Sequence, residues 1–304
     1  MGKRTSVTKR MNLLYANDKK GAYPESWYVA TSNLKERYEV LNISKKADVC
    51  VVGAGYTGLS SALHLAEKGF KVILLEAQRV GFGASGRNGG QLGTGQRLTQ
   101  RKLNRVLGRA HSEKLWQLSE QAKHVVKNMV KKYEIDCYIK PGIASLGTSA
   151  SITKDLHLEA EFLSDQYGYN KIEKLDRNGS YKLCKSLSYY GGYLDMGASH
   201  LHPLRLALGL AKAAREKGVE IHEMSRVLNL DHGKKIKTIT EKGTVESDFA
   251  ILACNGYLGN LNQKIASMVM PINNFILATE PLEDKALEVL SEDIAVADSK
   301  FIVN

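Results

Sequence analysis

Gly53, Gly55 and Gly58 stand at the G-x-G-x-x-G spacing, and an acid, Glu76, closes the apolar run that follows. These residue types at this spacing suit the holding of a dinucleotide diphosphate. The first glycine lets the chain turn, the second lets backbone approach a pyrophosphate, and the third brings helix against strand. A Cβ at any of them would obstruct. The first amides of the following helix lack intrahelical acceptors, and with the positive end of the helix dipole they suit a phosphate. Gly53, Ala54, Gly55, Tyr56, Thr57 and Gly58 are therefore the candidate diphosphate loop. Glu76, with Ala77 beside it, is placed to bind a ribose diol, and its carboxylate repels a 2′-phosphate, which disfavours NADP. This stretch alone does not choose between NAD and FAD.

The elements that must position these residues are legible around them. Val49 to Val52 has the length and β-branched content of a buried parallel strand and stops at Gly53. Leu59, Ala62, Leu63 and Ala66 recur at helical spacing, Gly69 supplies the helix stop, and Val72 to Leu75 forms the second strand. Strand, glycine turn, helix, strand and terminal acid make a βαβ unit within about thirty residues. A lone glycine motif is weak, and the alternative is a βαβ unit whose glycines serve packing only. The order of the elements makes the nucleotide reading specific.

A second glycine-rich loop, GFGASGRNGGQ from Gly81 to Gln91, carries Ser85, Arg87 and Asn88 at what should be another helix start. Together with GYTGLSSALHLAEKGFKVILLEA it resembles the D-amino-acid oxidase-like group of FAD-dependent oxidoreductases. The resemblance extends from about residue 23, in YPESWYVAT, to the last residues. It implies an α/β protein: a Rossmann-like FAD-binding domain with a parallel sheet, plus a second α+β substrate domain with an antiparallel sheet. It further implies FAD as cofactor, with contacts at Arg87, Asn88, Gly89 and Gly90, adenine against the backbone of Val227, and lesser contacts at Asn255 and Gly256. Arg97 is in a place comparable to an arginine that grips a substrate carboxylate in sarcosine-oxidase-like relatives.

The implied activity is oxidation of a C–N bond in an amine or amino-acid-like substrate, gamma-glutamylputrescine-like, by hydride transfer to the flavin. Oxygen or another acceptor would then reoxidise the flavin. Three alternatives remain: an oxidase of the glycine, sarcosine or D-amino acid type, a truncated non-catalytic FAD-binding remnant, or an RNA-linked flavoprotein. No catalytic side chain is assigned.

The expected organisation is an N-terminal arm over 1–46, FAD-binding segments at 47–136 and 197–260, and substrate-domain segments at 137–196 and 261–304. One long amphipathic helix, with Leu115, Leu118, Ala122, Val125, Val126, Met129 and Val130 on its apolar face, spans 111–133. Residues 137–149 read as a hairpin or edge strand, 151–167 as a helix, and 219–222 as a parallel strand. Segments 226–230, 236–240 and 244–246 read as a small meander, 248–253 as a separate returning strand, and 270–282 as a long strand. The ending at FIVN, without a turn or cap and without a later glycine-rich return to the flavin, is expected to mark a truncated product of poor solubility or weak flavin retention.

The chain has 304 residues, 43% of them hydrophobic, enough for one large or two medium cores. No run approaches the length of a membrane span, and the first twenty residues contain no signal-peptide-like apolar segment. Cys50, Cys137, Cys184 and Cys254 show no C-x-x-C or metal-like pairing, which suits reduced thiols and a cytoplasmic protein. Asp195, His200 and His202 could supply three metal ligands, yet no fourth is evident and flavin chemistry needs none, so no metal is expected. The net charge of +11 is local. Residues 1–46 carry ten Lys/Arg against four Asp/Glu, residues 97–140 carry eleven against four, and the remainder is near neutral. A solvated arm and one basic helix face account for this better than a nucleic-acid surface, for which no motif is present.

Overall fold

The computed structural model describes residues 18–272, 274–290 and 293–298. A one-turn helix α1 (Trp27–Ala30), capped by the Ser26 hydroxyl, precedes strand β1 (Ser44–Val52), helix α2 (Tyr56–Glu67) and strand β2 (Val72–Leu75). The short strand β3 (Gln91–Leu92) leads into helices α3 (Gln100–Leu107) and α4 (Arg109–Lys132). Strand β4 (Lys140–Leu146), helix α5 (Ala150–Tyr167), strand β5 (Ile172–Leu175), helix α6 (Arg177–Leu183) and strand β6 (Gly192–His200) follow. Helix α7 (Pro203–Glu216) opens with proline, whose missing N–H costs nothing there. Then come β7 (Glu220–His222), β8 (Val227–His232), β9 (Ile236–Thr240), β10 (Thr244–Leu252), the one-turn helix α8 (Gln263–Ala266) and β11 (Ala295–Asp298).

The described residues form two compact units. One comprises those up to Arg87 together with Ala207–Leu277, and the other comprises Asn88–Leu206 with those from Ala278. The units change at 87, 206 and 277, whereas breaks at 136, 196 and 260 were expected. Helices α3 and α4, both in the second unit, make the largest difference. They pack with α5: Glu159 accepts the Gln100 and Arg101 amides at the start of α3, and Trp116 of α4 lies 5.3 Å from the Tyr167 ring.

In the first unit the sheet order is β7-β2-β1-β10-β9-β8, with β7, β2, β1 and β10 parallel and the last two strands antiparallel. Leu59, Ala62 and Leu63 of α2 have no exposed surface, nor have Cys50, Val51, Ile73 and Leu74 of the strands. Each fully buried Leu or Ile contributes about 1.5–3 kcal/mol through area removed from water. Two expectations change here. β1 begins at Ser44, because Ser44–Ala47 pair with Thr244–Ser247 along the backbone, with Thr244 Oγ1 donating to Ser44 Oγ at 3.0 Å and Lys46 pairing with Glu246 at 3.4 Å. The third strand of the meander and the returning strand are one continuous strand, β10, which bonds β9 over Thr244–Ser247 and β1 along its length. Among the described residues of 270–282 there is no strand.

In the second unit the order is β11-β4-β6-β3, with β5 also on β6. β4 is a single interior strand between β11 and β6, not a hairpin or an edge. β6 pairs antiparallel with β4, β5 and β3, and only the β11–β4 pair is parallel. The α4 helix is where the periodicity predicts it, and Met129 and Val130 of its apolar face are buried, but the inward face of its first two thirds differs. Ser112, Trp116, Ser119 and Lys123 are buried, whereas Leu118 and Val125 are 59% and 42% exposed. Trp116 sets this rotation by wedging edge-on against Tyr169 at 5.2 Å, and Lys123 donates to Thr94 Oγ1 at 2.6 Å.

Candidate functional site

The two glycine-rich loops meet at the carboxyl ends of β1 and β2. Gly53 turns the chain at φ +108°, and a Cβ there would lie 2.5 Å from the Ala253 carbonyl oxygen at the end of β10. At Gly58 a Cβ would lie 1.8 Å from the Gly53 oxygen, so the third glycine is what lets α2 sit on its strand. Gly55 is the N-cap of α2 and has no capping side chain of its own. The cap comes from the second loop: Tyr56 N–H donates to Ser85 Oγ at 3.0 Å, and Gly81 N–H donates to the Ala54 carbonyl at 2.9 Å. A third turn closes the cluster, because the Tyr257 ring would touch a Cβ at Gly83 at 3.3 Å. Asn255, at φ +49°, and Gly256 belong to that turn. Thr57 is exposed in the first turn of α2.

Glu76 continues directly from β2. Its Oε2 accepts Ala54 N–H at 2.7 Å and its Oε1 accepts Gln78 N–H at 2.8 Å, while its backbone is pinned by the His222 carbonyl and the Ser225 amide. Burial pushes the Glu76 carboxyl above its ordinary range, and backbone amides from Ala54, Gln78 and Ala77 partly offset that. Three amides use three of the carboxylate's roughly four acceptor sites, so capacity for one further hydrogen bond, to a diol hydroxyl, remains. Val227, at the start of β8, packs on the cluster of Leu41, Cys50, Val52, Ile73, Leu75 and Val245. It therefore lies in the same unit as the glycine turn and Glu76.

Arg87 ends the first unit. Its guanidinium sits 4.5 Å above the Phe82 ring and bonds Asp18 at 3.1 Å. Asn88, Gly89, Gly90 and Arg97 fall in the second unit. Asn88 Oδ1 accepts Gly90 N–H at 2.8 Å, and Gly90, at φ +67°, lies against the Leu201 carbonyl so closely that a Cβ would be 1.9 Å away. A Cβ on Gly89 would meet nothing within 4 Å. Arg97 is exposed in the connection between β3 and α3.

Three features beyond the residues assigned from sequence shape these units. Ser85 was visible in the motif, but its bond to Tyr56 was not. Arg79 and Glu223 form an ion pair at 2.7 Å with both side chains 3% exposed, and Glu223 also accepts the Val80 amide. In the second unit Tyr169 donates to Asp195 at 2.6 Å beside the buried Lys123. Asp195 also accepts the Gly197 and Ala198 amides, which commits it to holding β6 together. Among the described residues no group of three His, Cys, Asp or Glu could hold a metal ion, and no helix is long and apolar enough to cross a membrane.

The first unit fits a dinucleotide on its own terms. Backbone amides at a helix N-terminus lie beside a glycine that leaves Cβ space, a carboxylate stands at the next strand tip, and the buried Arg87 Nε has no partner among the described residues. A family model described as DAO, FAD dependent oxidoreductase, matches residues 48–302. The chain is 40% identical over 279 residues to a probable oxidoreductase OrdL of Rhizobium meliloti (strain 1021), covering 91% of this chain and 65% of that protein. It is 36% identical over 284 residues to the gamma-glutamylputrescine oxidoreductase of Escherichia coli (strain K12), covering 93% and 66%. The chain thus spans about two thirds of the length of these relatives. Among solved structures, glycine oxidase from Geobacillus kaustophilus matches with a TM-score of 0.60 at 20% identity, covering 73% of this chain and 59% of that one. L-amino acid deaminase from Proteus vulgaris matches with a TM-score of 0.62 at 19% identity, covering 77% and 53%. These two share the mixed α/β fold.

Proposed function

The chain belongs to the DAO family of FAD-dependent oxidoreductases, and on that premise we propose that it oxidises the C–N bond of a small amine or amino-acid-like substrate. Gamma-glutamylputrescine is the first substrate to test, since 36% identity runs through 93% of this chain to a protein named for it. Within the proposal, putrescine catabolism is the process and the cytoplasm is the compartment, in keeping with four free cysteines.

The observation that carries the reading is the meeting of the two glycine loops at the start of α2 through Tyr56 and Ser85. Gly55 keeps a side chain out of the diphosphate's approach while Gly53 turns the chain and Gly58 seats α2 on its strand, and the Ala54, Tyr56 and Thr57 backbone borders the approach. Glu76, with Ala77, holds the ribose diol, and Val227 offers backbone to the adenine. Arg87 brings positive charge, and Asn88, Gly89 and Gly90 shape the loop beyond it. FAD, when bound, supplies the acceptor for a hydride leaving the carbon next to nitrogen. Arg97 takes a substrate carboxylate, and exclusion of water from the substrate disfavours its ammonium form.

The test is reconstitution with FAD followed by anaerobic addition of gamma-glutamylputrescine, putrescine, glycine, sarcosine and D-alanine, one at a time. Loss of the oxidised-flavin absorbance with gamma-glutamylputrescine is the expected result. Bleaching by glycine, sarcosine or D-alanine alone would move the protein to the amino-acid oxidase type. Flavin uptake without bleaching by any amine would defeat the catalytic reading and leave a binding protein.

A further inference from the structure

Among the described residues before α1, Tyr23 and Asp18 reach the second glycine loop: the Tyr23 ring lies 6.3 Å from the Phe82 ring, and Asp18 meets Arg87. Arg87 Nη1 donates to Asp18 Oδ1 at 3.1 Å, with the two side chains 28% and 8% exposed. Phe82, itself buried, supports the guanidinium from below at 4.5 Å. Asp18 is held in place by a tight turn, bridged from Lys19 to Ala22, with Gly21 at φ +71°. That turn is anchored twice to the β2 connection: Gly21 N–H donates to Gln78 Oε1 at 2.6 Å, and Tyr23 Oη donates to the Val80 carbonyl at 2.6 Å. Gln78 is the same residue whose amide binds Glu76.

The ion pair is incomplete. Arg87 Nε and Asp18 Oδ2 are both buried, and neither has a hydrogen-bond partner among the described residues. A buried N–H without an acceptor is costly, and native structures leave few of them. A guanidinium is a rigid planar fork, so fixing one end and one face fixes where its other edge lies. Here the carboxylate fixes Nη1 and the Phe82 ring fixes the plane, which leaves the Nε edge oriented and unmet.

We propose that Asp18 is a positioning residue for Arg87, holding its guanidinium so that the Nε edge is offered to a phosphate oxygen of the dinucleotide. This rests on the assignment of Arg87 to the FAD site. The carboxylate also tempers the local charge, so Arg87 acts through directed hydrogen bonds more than as a free cation. The arm is thereby part of the cofactor site, although its sequence carries no nucleotide motif.

The experiment uses the full 304-residue chain, stripped of flavin, and titrates FAD by flavin fluorescence and ADP by competition. The variants are Arg87→Met, Asp18→Asn, the double variant and Asp18→Glu. Loss of one charge-assisted hydrogen bond predicts about a tenfold rise in the FAD dissociation constant for Arg87→Met. Asp18→Asn is expected to raise it about threefold to tenfold on the same grounds. It should do so for ADP as well, and should add nothing in the Arg87→Met background. Asp18→Glu should recover part of the loss.

Unchanged or tighter FAD binding by Asp18→Asn, with weakened binding by Arg87→Met, would overturn the positioning role and leave Arg87 in the site. Equal weakening by Asp18→Asn with and without Arg87 would mean the arm only supports the fold, which also overturns it. A change for FAD without one for ADP would place the contact away from the diphosphate and refute the proposal as stated. No effect of Arg87→Met, or no FAD uptake by the unaltered chain, would remove the underlying assignment itself. If Asp18→Asn does not fold, Asp18→Ser in the same cycle gives the same decision.

Discussion

The Gly58→Ala substitution separates packing from ligand binding at the glycine turn. The added Cβ would lie 1.8 Å from the Gly53 oxygen and 3.3 Å from the Ala253 Cβ, and the first of these is backbone that no rotamer can move. Restoring an ordinary contact requires α2 and the turn to part by roughly 1.5 Å, enough to forfeit much of the dispersion contact along the helix. The face that would lift carries Leu59, Ala62 and Leu63, all without exposed surface. Overpacking of this kind costs about 3 kcal/mol at the upper end of the usual range. Alanine is better than glycine within a helix by about 1 kcal/mol. The net expectation is a loss of about 2 kcal/mol, or roughly 4–8 °C in melting temperature for a unit of this size. The assay is urea and thermal unfolding of the flavin-free protein, with Gly55→Ala as the comparison. At Gly55 the new Cβ meets the end of a serine side chain at 2.9 Å, which can rotate away at the expense of the Tyr56 bond, about 1 kcal/mol. A Gly58→Ala protein as stable as the unaltered chain would refute the packing argument. A Gly55→Ala protein destabilised more than Gly58→Ala would do so too.

Three further outcomes are expected. Because burial raises the Glu76 carboxyl, the folded state favours its protonated form. The stabilisation is present below the ordinary carboxylate range and fades as pH rises through the raised value. Glu76→Gln should flatten the stability profile just above the usual Glu range, and urea midpoints with an unchanged pH slope would contradict this. Arg79→Met should cost about 3–5 kcal/mol in urea unfolding because it strands Glu223 in a buried place. Removing both charges should cost less than the two single losses together, and a penalty under about 1 kcal/mol for Arg79→Met would disprove the reading. Burial pushes the Cys50, Cys137 and Cys254 thiols up to about 11 and raises Cys184 as well. A thiol reagent at neutral pH should therefore label the native protein slowly and the unfolded protein at all four cysteines; rapid stoichiometric labelling of Cys254 would contradict it.

The nucleotide turn was legible because its signals are local: an apolar run, glycines at fixed spacing, a helical period and an acid at the next strand tip. Where partners lie far apart in sequence, legibility failed for definite reasons. Ser44–Ala47 are polar or small and become strand only because Thr244–Ser247 lie alongside. β10 was divided in two because its polar residues, Glu246 and Asp248, interrupt the apolar pattern, yet they simply alternate outward around the buried Val245 and Ser247. On α4 apolar periodicity holds at Met129 and Val130 and fails at Leu118 and Val125, where aromatic contact with Trp116 and the bonding of Lys123 outweigh it. Apolar residues between 270 and 282 read as a strand, but Met270, Phe275 and Leu277 are 79%, 84% and 93% exposed, and among the described residues no strand pairs with them. Of the candidate cofactor residues, Arg87 was visible in its motif. Nothing in the spacing pointed to Asp18 as its companion.

The pairing of β1 with β10 joins residues two hundred positions apart, Ser44 with Thr244. During synthesis β1 therefore emerges long before the strand that must bond it, and the intervening chain folds largely into the other unit. At ordinary ribosomal speeds that delay is on the order of ten to forty seconds. Throughout it, one side of Val49–Val52 awaits its neighbour, a sticky ribbon within reach of other nascent copies. The yield of intact protein in a cell should therefore depend on chaperone supply and on translation pace.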